Sequence, residues 1–114
     1  MQYLLLIHDD DTVDNGDLMP EYGAYSQALA ESGALVGANR LQPADTATTV
    51  RVRNGDTLVT DGPFIETKET LGGYYLIEVE SLDEALEWAA KIPSARFGHI
   101  EVRPIVMRQA EVGA

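Results

Sequence analysis

Residues 3–8, Tyr-Leu-Leu-Leu-Ile-His, are apolar at both parities of a β-strand. Successive strand side chains point to opposite sides of the sheet, so a strand of this kind is usually covered on both faces. This demand constrains the fold more than any other feature, because the rest of the pattern supplies material for only one covering layer.

That material is read in chain order. Residues 9–17 are acidic and read as a surface loop, with Asn15-Gly16 as a turn. Pro20 suits the first turn of a helix, and Glu21 suits its positive end. Met19, Tyr22, Tyr25, Ala28 or Leu29, and Ser32 follow at helical spacing, and Gly33 is a natural stop. Leu35-Val36-Gly37-Ala38 opens a second strand that ends at Leu41-Gln42-Pro43. Thr48, Val50 and Val52 alternate with Thr49, Arg51 and Arg53, and Asn54-Gly55 signals a hairpin into residues 57–60. The loop Asp61-Gly62-Pro63-Phe64-Ile65-Glu66-Thr67-Lys68-Glu69 leads to a strand at residues 73–79. In it, Pro63 pushes Gly62 toward extended backbone, Phe64 is an apolar anchor and Asp61 can accept nearby amides. Ser81-Leu82-Asp83-Glu84 is a capping box. It starts a helix whose apolar stripe is Leu82, Ala85, Leu86, Ala89 and Ile92, with Pro93 beyond; residues 99–106 form the last strand.

The order is β-α-β, a hairpin, then β-α-β. Without the hairpin it is the split βαβ arrangement, so the predicted fold is α+β: ferredoxin-like βαββαβ with an inserted β-hairpin, in a single domain spanning residues 1–114. Its two helices cover one sheet face. The other face collects Leu4, Leu6, His8, Tyr74, Leu76, Glu78, His99, Glu101 and Arg103. The expected cover is a second copy in a two-fold homodimer, with a pocket between the open face and that cover.

Charge and composition narrow the partners. Nineteen acids against eight bases give −11, which repels phosphate backbones and anionic membranes; neither nucleic acid nor membrane is an expected partner. The chain has no cysteine, which removes disulfides, thiol chemistry and cysteine metal sites. No stretch nears the ~20 apolar residues of a membrane span, and the apolar run of the first residues is too short for a signal peptide, with no basic region before it. A cytoplasmic protein is expected. No cofactor is expected either: there is no phosphate-binding glycine loop, nucleotide fingerprint or nucleophile elbow. Aligning Gly16 with the glycine of a calcium loop puts Val13 and Tyr22 at ligand positions, and two histidines without tight spacing make a poor zinc site.

Several blocks in order resemble the DGPF-domain proteins, a YCII-related family. They are Asp61-Gly62-Pro63-Phe64, Glu66-Thr67-Lys68-Glu69, Leu71-Gly72-Gly73-Tyr74, Asp83-Glu84-Ala85-Leu86-Glu87-Trp88-Ala89 and Ile100-Glu101-Val102-Arg103-Pro104-Ile105. The resemblance implies a ferredoxin-like subunit that dimerises through its sheets, as in the dimeric α/β barrel superfamily. The wider group includes a dehydrochlorinase acting on a chlorinated hydroxyhydroquinone and a proposed His-Asp pair. Some members are encoded near alternative sigma factors. The pair has no residue-by-residue counterpart here, since His8 and His99 are the only histidines and neither lies in the first helix.

Candidate catalytic residues are His8, Asp61 and Glu101. His8 ends a buried strand and titrates near neutrality, and Asp9 or Glu101 can orient it. Candidate substrate-binding residues are Arg51 and Arg103, which can hold a carboxylate or phenolate, with Phe64, Glu66, Lys68 and Tyr74 around the same region. Two readings stand. One is an enzyme without cofactor that moves a proton on a small hydroxylated aromatic or organic acid. The other is a non-catalytic ligand-binding or regulatory module linked to transcription regulation.

Overall fold

The doubly apolar strand sits at the centre of the sheet. In the computed structural model, which describes residues 1–10, 12, 14, 16–63 and 69–107, the elements run β1 (Gln2–Asp10), α1 (Met19–Glu31), β2 (Leu35–Arg40), β3 (Thr48–Arg53), β4 (Asp56–Asp61), β5 (Glu69–Glu78), α2 (Leu82–Ala90) and β6 (His99–Pro104). Strands β2-β5-β1-β6 form one four-stranded sheet in that order, antiparallel throughout. Strands β3 and β4 make a separate two-stranded sheet. This is the expected ferredoxin-like arrangement with its inserted hairpin.

Register sorts the side chains by face. Leu5 lies between Tyr75 and Val102, whereas Leu4 lies between Leu76 and Arg103, and Leu6 between Tyr74 and Glu101. Tyr3, Leu5, Ile7, Tyr75, Ile77 and Val79 are buried under the helices with Tyr25, Leu29, Ala85, Ala89 and Ile92. Leu5, Leu29, Ile77 and Ile92 are the largest side chains lost completely from water, each contributing about 1.5–3 kcal/mol. The aromatic rings set the helix positions. Tyr25 meets Tyr75 edge-on at 5.1 Å and Trp88 at 5.9 Å, and its hydroxyl donates to the Trp88 carbonyl at 2.8 Å. One side chain of α1 thereby holds both the sheet and α2.

Local chemistry explains where elements begin and stop. The Ser81 hydroxyl accepts the Glu84 amide at 3.2 Å, as a cap should. The Glu84 carboxylate takes the Glu80 amide instead of returning to Ser81, so the box is displaced by one residue. Only Ala85, Ala89 and Ile92 of the expected stripe are buried. Leu82 and Leu86 are 48% and 45% exposed, because the contact line runs through the two alanines and leaves both leucines on its flank. Strand β5 starts at Glu69 rather than residue 73, since β1 extends to Asp10 and pairs with it. Gly62 has φ +93°, a left-handed conformation instead of the extended one expected before Pro63. It ties the hairpin root: its amide donates to Ala47 at 2.7 Å, and its carbonyl accepts the Thr49 hydroxyl at 2.8 Å. Asn54 and Gly55 both have positive φ, 52° and 82°, as a two-residue hairpin turn requires. Among the described residues no helix is long and apolar enough to cross a membrane.

Two measurements probe this core. Ile77→Ala is expected to lower unfolding free energy by about 2–5 kcal/mol in denaturant titrations. Burial, with Tyr75 and Tyr22 adding, pushes the Tyr25 phenol above its ordinary value. An unfolded tyrosine ionises near pH 10, so the stabilisation is complete below about pH 10 and falls as pH rises toward the folded value. Tyr25→Phe is expected to flatten that alkaline loss in melts recorded from pH 8 to 11.

Candidate functional site

The alternation of β1 places His8 and Asp9 on opposite faces of the sheet, and each enters a different group. On the open face, His8 pairs in register with His99, and their rings stack at 4.5 Å with an interplanar angle of 12°. Each imidazole has a carboxylate: Glu69 contacts His99 Nδ1, and Glu101 lies 3.5 Å from His8 Nε2. That second distance is an ion-pair distance, not a hydrogen bond, and His8 Nε2 is shielded from solvent with no hydrogen-bond partner among the described residues. Arg103 bonds the Glu101 carboxylate at 2.6 Å. The guanidinium holds that carboxyl below the usual range, with the charge of His8 contributing less, so Glu101 stays ionised and orients a neighbour better than it takes a proton. Tyr74 lies on the same face, and its hydroxyl accepts from Asn39 at 2.8 Å.

On the helix-covered face a pocket of about 670 Å³ lies between α1, the loop before it and the ends of β1, β2 and β5. Asp9, Asp10 and Asp17 supply its acids, and Arg40 is its only cation among the described residues. Tyr22, Ser26, Tyr75 and Ser94 line it with hydroxyls. These are paired and therefore fixed: Tyr22 with Ser94 at 2.7 Å, and Ser26 with Tyr75 at 2.6 Å. Burial raises the Tyr22 phenol, the Ser94 hydrogen bond opposes this, and the charge of Asp9 adds to the rise.

A bulge makes room for Asp9. Ile7 pairs with Gly73 and His8 with Leu71, leaving Gly72 as an extra residue in β5. A Cβ at Gly72 would lie 2.2 Å from Asp9 Oδ2. The carboxylate therefore fills the space where a side chain would stand, and this fixes it against the pocket wall.

The structure brings His8, Glu101, Arg103 and Tyr74 together on one face. It does not bring Asp61 or Arg51 to them: both lie on the hairpin, at the end of β4 and the middle of β3, with exposed side chains. Phe64, Glu66 and Lys68 fall outside the described residues. The reading of the sequence missed the pocket group of Asp9, Tyr22, Ser26, Arg40 and Ser94. The available signal was parity, since Asp9 continues the Leu5 and Ile7 face, and the polar Ser26 stands one turn from Tyr22 on a helix face that is otherwise apolar. Among the described residues no group of three or more His, Asp or Glu side chains is placed to hold a metal.

The YCII-related domain family matches residues 1–108. An uncharacterized protein of Rhizobium meliloti (strain 1021) is 39% identical over 116 residues, covering 94% of each chain. Among solved structures, 5-chloro-2-hydroxyhydroquinone dehydrochlorinase from Burkholderia phenoliruptrix AC1100, in complex with 2,5-dihydroxybenzoquinone, is similar with a TM-score of 0.55. The match covers 96% of this chain and 98% of that one at 16% identity, a likeness of fold.

Asp9→Asn removes the negative charge that helps raise the Tyr22 phenol. The Tyr22 pKa is expected to fall, read by NMR of ring-labelled tyrosine. Gly72→Ala, which turns the carboxylate away, should move it in the same direction.

Proposed function

The chain belongs to the YCII-related domain family, and from that premise we propose that it takes a small hydroxylated aromatic or organic acid into the pocket beside α1 and moves a proton on it. The observation that carries this reading is the pocket itself. Its volume of about 670 Å³ suits a small ligand, and its lining combines carboxylates, one guanidinium and paired hydroxyls. Asp9 is the base: it accepts a proton from a phenolic hydroxyl or from a carbon beside a carbonyl. Arg40 pairs with the oxyanion left behind, and the Ser26–Tyr75 and Tyr22–Ser94 pairs orient the ring or chain. The dehydrochlorinase of like fold carries 2,5-dihydroxybenzoquinone in its solved structure, which supports a ligand of this size and chemistry. If the ligand binds without turnover, the same pocket makes the protein a binding or regulatory module.

A second reading rests on the shielded, unsatisfied His8 Nε2 beside Glu101. In it, a second copy covers the open face, His8 acts as acid or base in the chamber so formed, and Arg103 holds the anion. Leu4, Leu6 and Leu76 on that face support the covering copy.

A thermal-shift screen against phenols and organic acids, followed by turnover of the hits, separates the readings. Asp9→Asn is expected to lower kcat by at least about 100-fold, the usual contribution of a positioned base, while His8→Gln leaves it within a few-fold. The reverse pattern moves the chemistry to the open face. Tight binding with no turnover in the wild type leaves the binding module.

A further inference from the structure

The β3–β4 hairpin is the least explained part of the molecule. All twelve residues of its two strands are solvent-accessible, and eleven are exposed. An isolated two-stranded hairpin is at best marginally stable in water, so a hairpin of this length needs something to pack against.

Its two faces differ. Val50 stands opposite Val59, Val52 opposite Thr57 and Thr48 opposite Asp61; these pairs share one face. The valines are 59%, 58% and 63% exposed at positions 50, 52 and 59. Arg51, Arg53 and Asp56 lie on the other face, with Leu58. The first face is thus apolar along its middle, with Asp61 its only charge, at the root. Exposed apolar surface of this kind marks an interaction site.

We propose that the valine face of the hairpin packs against the same face of a second copy of this chain. Charge selects that occupant. The chain carries −11 overall, so most of its surface repels a copy of itself. Residues 48–61 hold Arg51, Arg53, Asp56 and Asp61 and are neutral, and their valine face brings no like charges together at mid-arm. A basic partner is drawn to the acids elsewhere on the chain, not to a neutral face. An isologous contact needs a self-complementary patch, and a row of valines is one. Two hairpins packed face to face, about 10 Å apart as stacked sheets are, form a small four-stranded sandwich. The contact is separate from the open face of the main sheet. Because the hairpin joins β2 to β5, and both border the pocket, the contact also steadies one pocket wall.

The absence of cysteine makes the test clean. Single-thiol variants Val59→Cys, on the valine face, and Thr60→Cys, on the opposite face, are treated with a bismaleimide spanning about 10 Å. Val59→Cys is expected to give covalent dimer at least fivefold faster at micromolar protein, and Val50→Asp in the same chain should suppress it. Equal rates, or no dimer from either, overturn the proposal. Sedimentation velocity on the Leu76→Glu chain, which disables the open face, supplies the second readout. Adding Val50→Asp and Val59→Asp should weaken any remaining self-association at least tenfold, and an unchanged profile overturns the proposal. Circular dichroism checks that each variant is folded.

Discussion

Strand β1 is hydrogen-bonded along both edges, to β5 on one side and β6 on the other. Because side-chain direction alternates residue by residue, a slip of one position would turn Tyr3, Leu5 and Ile7 out of the core and send Leu4, Leu6 and His8 into it. Apolar residues at both parities weaken the preference that β1 alone could express. Its neighbours restore it: Tyr75, Ile77 and Val79 alternate strictly with Tyr74, Leu76 and Glu78, and Ile100 and Val102 alternate with Glu101 and Arg103. The centre of the sheet is thus placed by the strands around it.

The same register distributes the chemistry. Adjacent residues His8 and Asp9 leave the backbone in opposite directions and never share a site. The bulge at Gly72 then lets β5 give up one pairing position and clears a space for the Asp9 carboxylate. A small irregularity in the ladder therefore determines that the helix-covered face, whose neighbours are mostly apolar, carries a carboxyl group beside α1. The paired hydroxyls beside it satisfy one another across elements far apart in sequence, since Tyr22 and Ser94 meet from α1 and the turn after α2.

Much of this was legible in the sequence, and the limits are physical. The order of elements, the open face and the Asn54-Gly55 turn follow from periodicity and turn chemistry, which are local. The exposure of Leu82 and Leu86 is not local. It depends on how closely two alanines let α2 approach the sheet. Gly62 misled because the residue before a proline is restricted mainly through its Cβ, which glycine lacks. The early start of β5 at Glu69 depends on how far β1 runs, and polar residues at a strand end do not announce pairing. The pocket was missed for a related reason. Its wall is assembled from single residues on α1, β1, β2 and the turn after α2, and no window of sequence contains them together.

The charge around the pocket has a kinetic consequence. Asp9, Asp10 and Asp17 line the pocket together with Arg40, in a molecule of charge −11. An anion approaching from solution is repelled by the field of the whole chain while the guanidinium attracts it. Dissolved salt shortens the reach of that field to about 8–10 Å at ordinary ionic strength, so the repulsion of any anion weakens as salt is added, while a neutral molecule is hardly affected. Net charge thus sets a cost on approach that falls on anions and spares molecules that arrive uncharged.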